Sequence, residues 1–237
     1  ELTRPLSAVE RSHARSRWLY VASKRLLDVL VSIVALTVLA PLLLAIAIAI
    51  KLDSPGPVIF RQKRVRGSQS LDEPHPERNL FEFLKFRSMY VNCDNAAHRR
   101  YVTALINGHA QQNHCVGQRA VYKIADDPRI TKVGRFIRRT SLDELPQLFN
   151  VLKGDMSLVG PRPALPYEVA QYNNGHKARL VPQAGLTGLW QVSGRTCLTF
   201  EEMVQLDIEY SRRCSLGLDL LILLKTLPAV ISADGAW

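Results

Sequence analysis

An uninterrupted apolar run near the start of the chain constrains the fold more than any other feature. Val29 to Ile50 holds 22 residues without a charge, flanked by Asp28 and Lys51. As a straight helix this run would measure roughly 33 Å, which is about the thickness of a bilayer's hydrocarbon core. It is too long for the core of a signal peptide. We therefore expect a membrane-embedded segment over residues 24–51.

The course of this segment is open from the residues alone. Pro41 removes a backbone donor and disfavours helical geometry at the residue before it. Basic residues lie on both sides of the run, so the positive-inside rule gives no orientation. They are Lys24, Arg25, Lys51, Arg61, Lys63, Arg64 and Arg66. A re-entrant helix that breaks at Pro41 explains both flanks. A kinked spanning helix is equally compatible, because proline is tolerated in transmembrane helices.

The remaining chain predicts a mixed α and β domain over residues 52–237, while residues 1–23 form a basic N-terminal segment. Val58 to Val65 and Leu80 to Met89 read as paired short strands, and Lys85 and Arg87 share one face of the second. Helices are predicted at about 95–106, 130–139, 200–213 and 216–231. The last is too short and too interrupted to span a bilayer, so we expect a core or interfacial helix. No chemistry is assigned to 67–79 or 92–120.

A stretch with adjacent carboxylates lies between arginines at residues 138–163. Ser141 and Glu144 have the spacing of a capping box, which predicts a helix from Ser141 to about Leu152 that Gly154 closes. Asp143 and Glu144 would then lie in the first turn, where free N–H groups and the helix dipole favour negative charge. The two acids are therefore either good helix-start residues or part of a site for a phosphate.

The net charge of +10 indicates an anionic partner, such as nucleic acid, lipid headgroups or phosphorylated substrates. The basic residues mostly flank apolar segments or the carboxylate pair rather than alternating with aromatics, which argues against nucleic acid. A non-catalytic membrane scaffold would not need adjacent acids ringed by arginines. The four cysteines form no CxxC pair, a pattern that suits a reducing compartment.

Taken together, these motifs resemble those of the monotopic bacterial phosphoglycosyl transferases, the bacterial sugar transferase family, from Lys24 to the C-terminus. The resemblance is carried by the apolar segment with its proline, Phe60-Arg61-Gln62-Lys63-Arg64, Leu84-Lys85-Phe86-Arg87-Ser88-Met89, Thr140 through Gln147, Pro161-Arg162-Pro163, Gly185 to Arg195, and Asp219 to Thr226. The run from Thr140 to Gln147 is the most specific of these. The resemblance adds a function to the carboxylate pair that the spacing alone does not.

The resemblance implies an α+β fold: a re-entrant helix-break-helix in the membrane, and a small cytosolic domain of helices around a short β-hairpin, with interfacial amphipathic helices. It implies transfer of a sugar phosphate from a UDP-sugar to undecaprenyl phosphate. Asp143 would be the nucleophile that forms a phospho-aspartyl intermediate, and Glu144 would hold Mg²⁺. The implied phosphate-binding residues are Lys85, Arg87, Arg138 and Arg162, with the arginines pairing bidentately, and Gln191 and Arg195 for the nucleotide.

The implied location is the cytosolic face of the bacterial inner membrane, in contact with membrane lipids. The reaction would begin assembly of an exopolysaccharide, capsule, O-antigen or other glycoconjugate. Since larger family members carry an N-terminal membrane bundle and Glu1 is not a start methionine, we expect the chain to be part of a longer protein. The sugar, the pathway and a homo-oligomeric state stay open.

Overall fold

The computed structural model describes residues 8–67, 79–91, 96–108, 114–116, 119–121 and 127–231. Its elements are α1 (Ala8–Asp53), β1 (Ile59–Val65), β2 (Leu80–Phe86), α2 (Ala96–Ile106), β3 (His114–Val116), β4 (Arg119–Val121), α3 (Lys132–Arg139), α4 (Gln147–Lys153), β5 (Ser157–Val159), α5 (Pro166–Val169), α6 (Asn174–Lys177), β6 (Gly185–Thr187), α7 (Leu189–Ser193), α8 (Phe200–Arg213) and α9 (Leu216–Ile231), with three short 3₁₀ turns. The predicted mixture of helices and small sheets is confirmed. Most of the predicted 67–79 loop lies outside the described residues.

Helix α1 is a single element of 46 residues that includes Pro41. Helical backbone therefore continues on both sides of Pro41, because one missing backbone donor leaves the neighbouring turns intact. The helix also begins well before Lys24, so part of the basic N-terminal segment is continuous with the apolar run. Whether the segment is re-entrant, where the domains divide and which side of the membrane they face stay predictions.

One face of α1 is covered by the rest of the protein in two stretches, one before and one after Pro41. Asp28, Ser32, Ile46 and Ile50 are buried, and their positions follow the helical period of 3.6 residues. The other faces expose large apolar side chains: Trp18, Leu19, Leu26, Leu30, Ile33, Val34, Val38, Leu44, Ile48 and Leu52. The helix is long and apolar enough over 18–53 to cross a membrane. Its exposed face suits a lipid environment, and its covered stripe fixes it to the domain.

Both ends of the apolar run are tied to that domain by polar contacts. Near the start, the buried Asp28 carboxylate accepts hydrogen bonds from Ser157 Oγ at 3.1 Å and Leu158 N at 2.9 Å. Just past the end, Asp53 Oδ2 accepts from Val133 N at 3.1 Å. Because a buried carboxylate is costly unless hydrogen-bonded, these contacts fix α1 against the domain at two distant points.

A second polar cluster joins the start of α1 to the C-terminal helices. Lys24 Nζ lies 2.9 Å from Asp219 Oδ2 and 2.9 Å from the carbonyl of Val159. Tyr210 donates to Asp219 Oδ1 at 2.7 Å, and Tyr20 donates to Asp219 Oδ2 at 3.1 Å. These contacts join α1, β5, α8 and α9 around the Asp219 carboxylate. Val159, whose carbonyl takes part, lies three residues before Arg162 in the chain.

The hairpin predicted from the two basic and apolar runs is confirmed. β1 and β2 pair antiparallel from Ile59 opposite Phe86 to Val65 opposite Leu80. β5 and β6 form a two-stranded parallel pair, and β3 and β4 an antiparallel one. The main core packs the inner face of β2 against α4, β5 and α9, through Phe81, Phe83, Leu148, Val151, Met156, Leu158, Val159, Tyr210 and Ile222. The carboxylate stretch lies at the end of this core, between α3 and α4.

Candidate active site

The predicted helix start at Ser141 is wrong. Ser141 has a left-handed backbone with φ of 57° and makes no side-chain capping bond, and the next residues form a short 3₁₀ turn, Leu142–Glu144. Helix α4 begins only at Gln147, because Pro146 lacks an N–H and stands well just before a helix. The predicted end is confirmed, since Gly154 closes α4 with φ of 84°. The two carboxylates therefore do not lie at the start of an α-helix, and side chains stabilise their negative charge instead.

Two basic side chains converge on one oxygen of Glu144. Lys85 Nζ donates to Glu144 Oε1 at 2.7 Å, and Arg162 donates through both terminal nitrogens to the same oxygen at 3.2 and 3.1 Å. The bidentate pairing expected of Arg162 concerns the substrate phosphates, and it stays a prediction. Burial raises the pKa of Glu144, but the charges of Arg162 and Lys85 outweigh burial and hold that pKa well below its usual range. Glu144 is a firmly ionised carboxylate.

Asp143 is more buried and less well compensated than its neighbour. Only 6% of the residue is exposed, and its Oδ2 lies 3.6 Å from Lys85 Nζ. Burial raises the pKa of Asp143 above its ordinary value, the adjacent Glu144 raises it further, and Lys85, Arg138 and Arg162 oppose the rise. A more basic carboxylate is a better nucleophile when ionised. The two adjacent acids therefore have different environments, which suits different roles.

Arg138 lies close enough to Asp143 for the two charges to attract, and burial lowers the pKa of its guanidinium. It stands in the last turn of α3, directly before the 3₁₀ turn that carries the carboxylates. The structure therefore brings together four of the predicted residues, Lys85, Asp143, Glu144 and Arg162, with Arg138 beside them. Their roles in catalysis stay predictions.

The position of Lys85 is set by an amide that the sequence did not single out. Asn150 is fully buried, and its Oδ1 accepts from Leu84 N at 3.0 Å while its Nδ2 donates to Glu82 O at 2.7 Å. Asn150 thus binds the backbone of β2 on either side of Phe83, directly before Lys85. Its signal in the sequence is an amide among the apolar positions of α4, a pattern that usually means a satisfied buried hydrogen bond.

The position of Arg162 is set by two strands that approach very closely. Gly160 N donates to Thr187 O at 2.9 Å, and Gly185 N donates to Pro161 O at 2.8 Å. A β-carbon on Gly185 would stand 2.1 Å from Gly160 N, so only glycine permits this crossing. The glycine-containing segment from Gly185 to Arg195 therefore supports the loop that carries Arg162.

Gln191 and Arg195 lie on and just after α7, which follows β6. Gln191 Nε2 donates to Leu186 O at 3.3 Å, and Arg195 Nε donates to Gln191 O at 3.2 Å. Gln191 Oε1 is buried without a hydrogen-bond partner among the described residues. The structure thus places both residues near the loop that carries Arg162, and their role in nucleotide binding stays a prediction.

Arg87 lies outside the carboxylate cluster, which corrects the expectation that it shares a pocket with Lys85. β2 ends at Phe86, so the alternation of faces does not carry on to Arg87. Its buried guanidinium donates to Ser54 O at 2.6 Å, Pro55 O at 2.8 Å and Ile50 O at 3.3 Å. Arg87 therefore satisfies free carbonyls at the C-terminal end of α1.

Glu144 is the predicted magnesium ligand. Among the residues that the structure describes, no group of three or more histidine, cysteine, aspartate or glutamate side chains could hold a metal ion. Mg²⁺ is commonly held by one or two carboxylates together with substrate phosphates, rather than by a cage of protein ligands. Glu144 fits that mode as a single carboxylate ligand, and its role in binding Mg²⁺ stays a prediction.

The fold and the site together define a membrane-associated protein with a carboxylate pair set among partly buried cations. Residues 19–233 match the family model described as bacterial sugar transferase. The chain belongs to the bacterial sugar transferase family. The resemblance drawn from the motifs is therefore confirmed.

Named relatives extend this match. The galactosyl transferase CpsE of Streptococcus agalactiae is 40% identical over 93% of this chain and 44% of its own length. The undecaprenyl-phosphate galactose phosphotransferase of Salmonella typhimurium is 40% identical over 90% of this chain and 41% of its own. A UDP-glucose:undecaprenyl-phosphate glucose-1-phosphate transferase of Caulobacter vibrioides is 37% identical over 90% of this chain and 72% of its own. The chain thus spans less than half of the first two relatives.

Proposed function

We propose that the protein is a phosphoglycosyl transferase that moves a sugar phosphate from a UDP-sugar to undecaprenyl phosphate and releases UMP. The observation that carries this proposal is the position of Lys85 Nζ, 2.7 Å from Glu144 and 3.6 Å from Asp143, with Arg162 on the same glutamate. This cluster has the charge needed to receive a diphosphate beside a carboxylate. The names of the relatives supply the donor and acceptor classes.

In the first half-reaction, a carboxylate oxygen of Asp143 attacks the phosphorus that bears the sugar. A bond forms between aspartate oxygen and phosphorus, the bond from that phosphorus to the bridging oxygen breaks, and UMP leaves with the electron pair. Lys85, Arg138 and Arg162 offset the negative charge that gathers as two anions approach. The raised pKa of Asp143 makes its ionised form a more basic attacking group.

In the second half-reaction, an oxygen of undecaprenyl phosphate attacks the same phosphorus. The aspartyl–phosphate bond breaks, Asp143 regains its free carboxylate, and the product is a sugar diphosphate on the lipid. Because each half-reaction uses the same carboxylate, the donor product leaves before the acceptor reacts, and ping-pong kinetics are expected.

Glu144 would hold Mg²⁺ beside the substrate phosphates. Its Oε1 is taken by Lys85 and Arg162, while no described residue lies at hydrogen-bond distance from Oε2, which leaves that oxygen for a cation. A magnesium ion there would supply positive charge to the oxygens of the diphosphate. The lowered pKa of Glu144 keeps its carboxylate ionised at neutral pH.

The contacts of α1 support a re-entrant or interfacial course for the apolar run. Asp28 and Asp53 bind the same domain and are separated by roughly 38 Å along a helix at 1.5 Å per residue. If α1 crossed the bilayer as a straight helix, the domain bound at both Asp28 and Asp53 would have to extend through the hydrocarbon core with its buried charges. We therefore place both ends of α1 and the carboxylate pair at the cytosolic face of the inner membrane.

An assay of UMP release tests the function. The detergent-solubilised protein is incubated with a panel of UDP-sugars, undecaprenyl phosphate and Mg²⁺, and UMP is measured. We expect release from the parent chain with at least one donor and none from Asp143→Asn. Glu209→Gln, a change on an exposed position of α8, is the matched control and should keep parental activity. Full activity in Asp143→Asn would refute the nucleophile assignment.

Labelling of cysteines tests the course of α1. In a variant without the native cysteines, one thiol is introduced before Lys24 or after Lys51, and intact cells are exposed to a reagent that does not cross membranes. Neither site should react if both ends face the cytosol. Reaction at one site only would show that α1 spans the membrane.

A further inference from the structure

Arg64 is a buried cation that the proposed chemistry does not use. It stands next to last in β1, is only 9% exposed, and its guanidinium donates to Pro163 O at 2.8 Å and to Gln62 Oε1 at 3.0 Å. Its guanidinium carbon lies 4.9 Å from the centre of the Phe83 ring. The alternation of β1 predicted outward basic side chains, and Arg64 departs from it because it points to the loop at 160–164.

The contact from Arg64 falls on the residue that follows Arg162. Val65 N donates to Ala164 O at 2.9 Å, so the end of β1 holds two consecutive carbonyls of this loop. Pro161 and Pro163 restrict the backbone on either side of Arg162, since each fixes its own φ and limits the residue before it. The backbone of Arg162 is therefore held from both directions, and Arg64 is the side chain that holds the far side.

The charges around Arg64 also favour a fixed orientation of Arg162. Burial lowers the pKa of Arg64 to about 10, which still leaves it cationic at neutral pH. Glu168 and Glu144 attract both Arg64 and Arg162, while the two arginines repel each other. Lys85 Nζ also lies 5.5 Å from the centre of the Phe83 ring, so one aromatic ring interacts with both cations. Arg64 thus favours the orientation in which Arg162 turns away from it and towards Glu144.

We propose that Arg64 is a positioning residue that fixes the Arg162 loop and directs Arg162 onto Glu144. This inference rests on the proposed function, because Arg162 is taken to act on the substrate phosphates. Arg64 itself touches backbone, an amide and a ring, so it acts through Arg162. Its removal should lower kcat far more than it changes KM for the UDP-sugar.

A double-mutant cycle between Arg64 and Arg162 tests the coupling. The variants are Arg64→Met, Arg162→Met and the double variant, and Arg61→Met is the matched control because the Arg61 side chain is 67% exposed on the same strand. We expect kcat to fall roughly 10- to 100-fold in Arg64→Met, as for misplaced catalytic groups. The double variant should lie within about threefold of Arg162→Met, because coupled residues are not additive. Arg64→Lys, which keeps one donor for Pro163 O, should recover part of the loss.

Amide hydrogen exchange gives a second readout that does not depend on turnover. The peptide over residues 157–165 should exchange faster in Arg64→Met than in the parent, and Arg61→Met should leave it unchanged. If Arg64→Met fails to fold, Arg64→Lys takes its place in both experiments. Losses that multiply in the double variant, or unchanged exchange in the loop, would overturn the positioning role. Absence of UMP release from the parent would instead refute the proposed function, and the exchange result would still decide the role of Arg64.

Discussion

Replacing Asn150 by alanine should both destabilise the protein and disable its carboxylate cluster. The Asn150 amide joins α4 to the outer edge of β2, where Leu84 N donates to it at 3.0 Å and Glu82 O accepts from it at 2.7 Å. Alanine removes both bonds at a position that is fully buried. Lys85 directly follows Leu84, so the loss of this edge contact frees the strand that presents Lys85 to Glu144.

The magnitude follows from the two backbone groups left without a partner. A buried donor or acceptor without a partner costs about 1–3 kcal/mol, so the pair predicts a loss of about 2–6 kcal/mol. For a chain of this size, 1 kcal/mol shifts Tm by about 2–4 °C, so Tm should fall by roughly 4–24 °C. At a temperature where the variant is still folded, a displacement of Lys85 by about 1 Å should lower kcat by about 100-fold.

The assay is thermal unfolding in detergent together with UMP release. Asn150→Asp is a companion variant, which keeps an acceptor for Leu84 N but replaces the donor to Glu82 O. It should also lower Tm, because its carboxylate lies beside Asp155. Gln205→Ala, on an exposed position of α8, is the control and should leave Tm within about 1 °C. Parental Tm and activity in Asn150→Ala would refute the view that this amide positions Lys85.

Three further predictions concern single side chains. Arg162→Lys should lower kcat by about 100-fold with little change in Tm, because one ammonium replaces two donors to Glu144 Oε1. Arg87→Met should lower Tm while the folded protein keeps its kcat. Lys85→Met should lower kcat and leave Tm unchanged. Thermal unfolding measures Tm, and initial rates of UMP release measure kcat. Burial raises the pKa of Asp207 to about 6, so the native state binds its proton more tightly than the unfolded state. Unfolding free energy should therefore fall from about pH 4 to about pH 6, and Asp207→Asn, compared by Tm across that range, should lack this slope.

The elements with a strong pattern were predictable from the sequence. The apolar run, the β1–β2 hairpin and helices α2, α3, α8 and α9 all follow from periodicity and turn residues. The 3₁₀ turn before α4 was not predictable, because Ser141 and Glu144 have the spacing of a capping box and so predict the start of an α-helix at Ser141. The proline at 146, inside the expected helix, was the opposing signal, and it decided where α4 begins.

The site was predictable where the family motifs name its residues, but not where tertiary contacts decide a side chain's direction. Lys85 and Arg87 stand two residues apart in one motif, but β2 ends between them. Lys85, within the strand, contacts Glu144, whereas Arg87, after the strand, binds carbonyls at the end of α1. Arg64 and Asn150 act through backbone carbonyls and amides that lie roughly 70 to 100 residues away in the chain. No local pattern encodes such contacts, because they form only when the elements pack.

The central claim is that Asp143 forms a covalent bond to the sugar phosphate of the donor, and mass spectrometry of the intact protein and of its proteolytic peptides tests it most directly. The parent chain is mixed with a UDP-sugar that it accepts and Mg²⁺, without undecaprenyl phosphate, and is quenched within seconds. The account predicts a mass increase of one sugar phosphate on the peptide that contains Asp143, together with about one UMP per enzyme, and neither in Asp143→Asn. UMP release that requires undecaprenyl phosphate, with no adduct on the parent at any time, would contradict it.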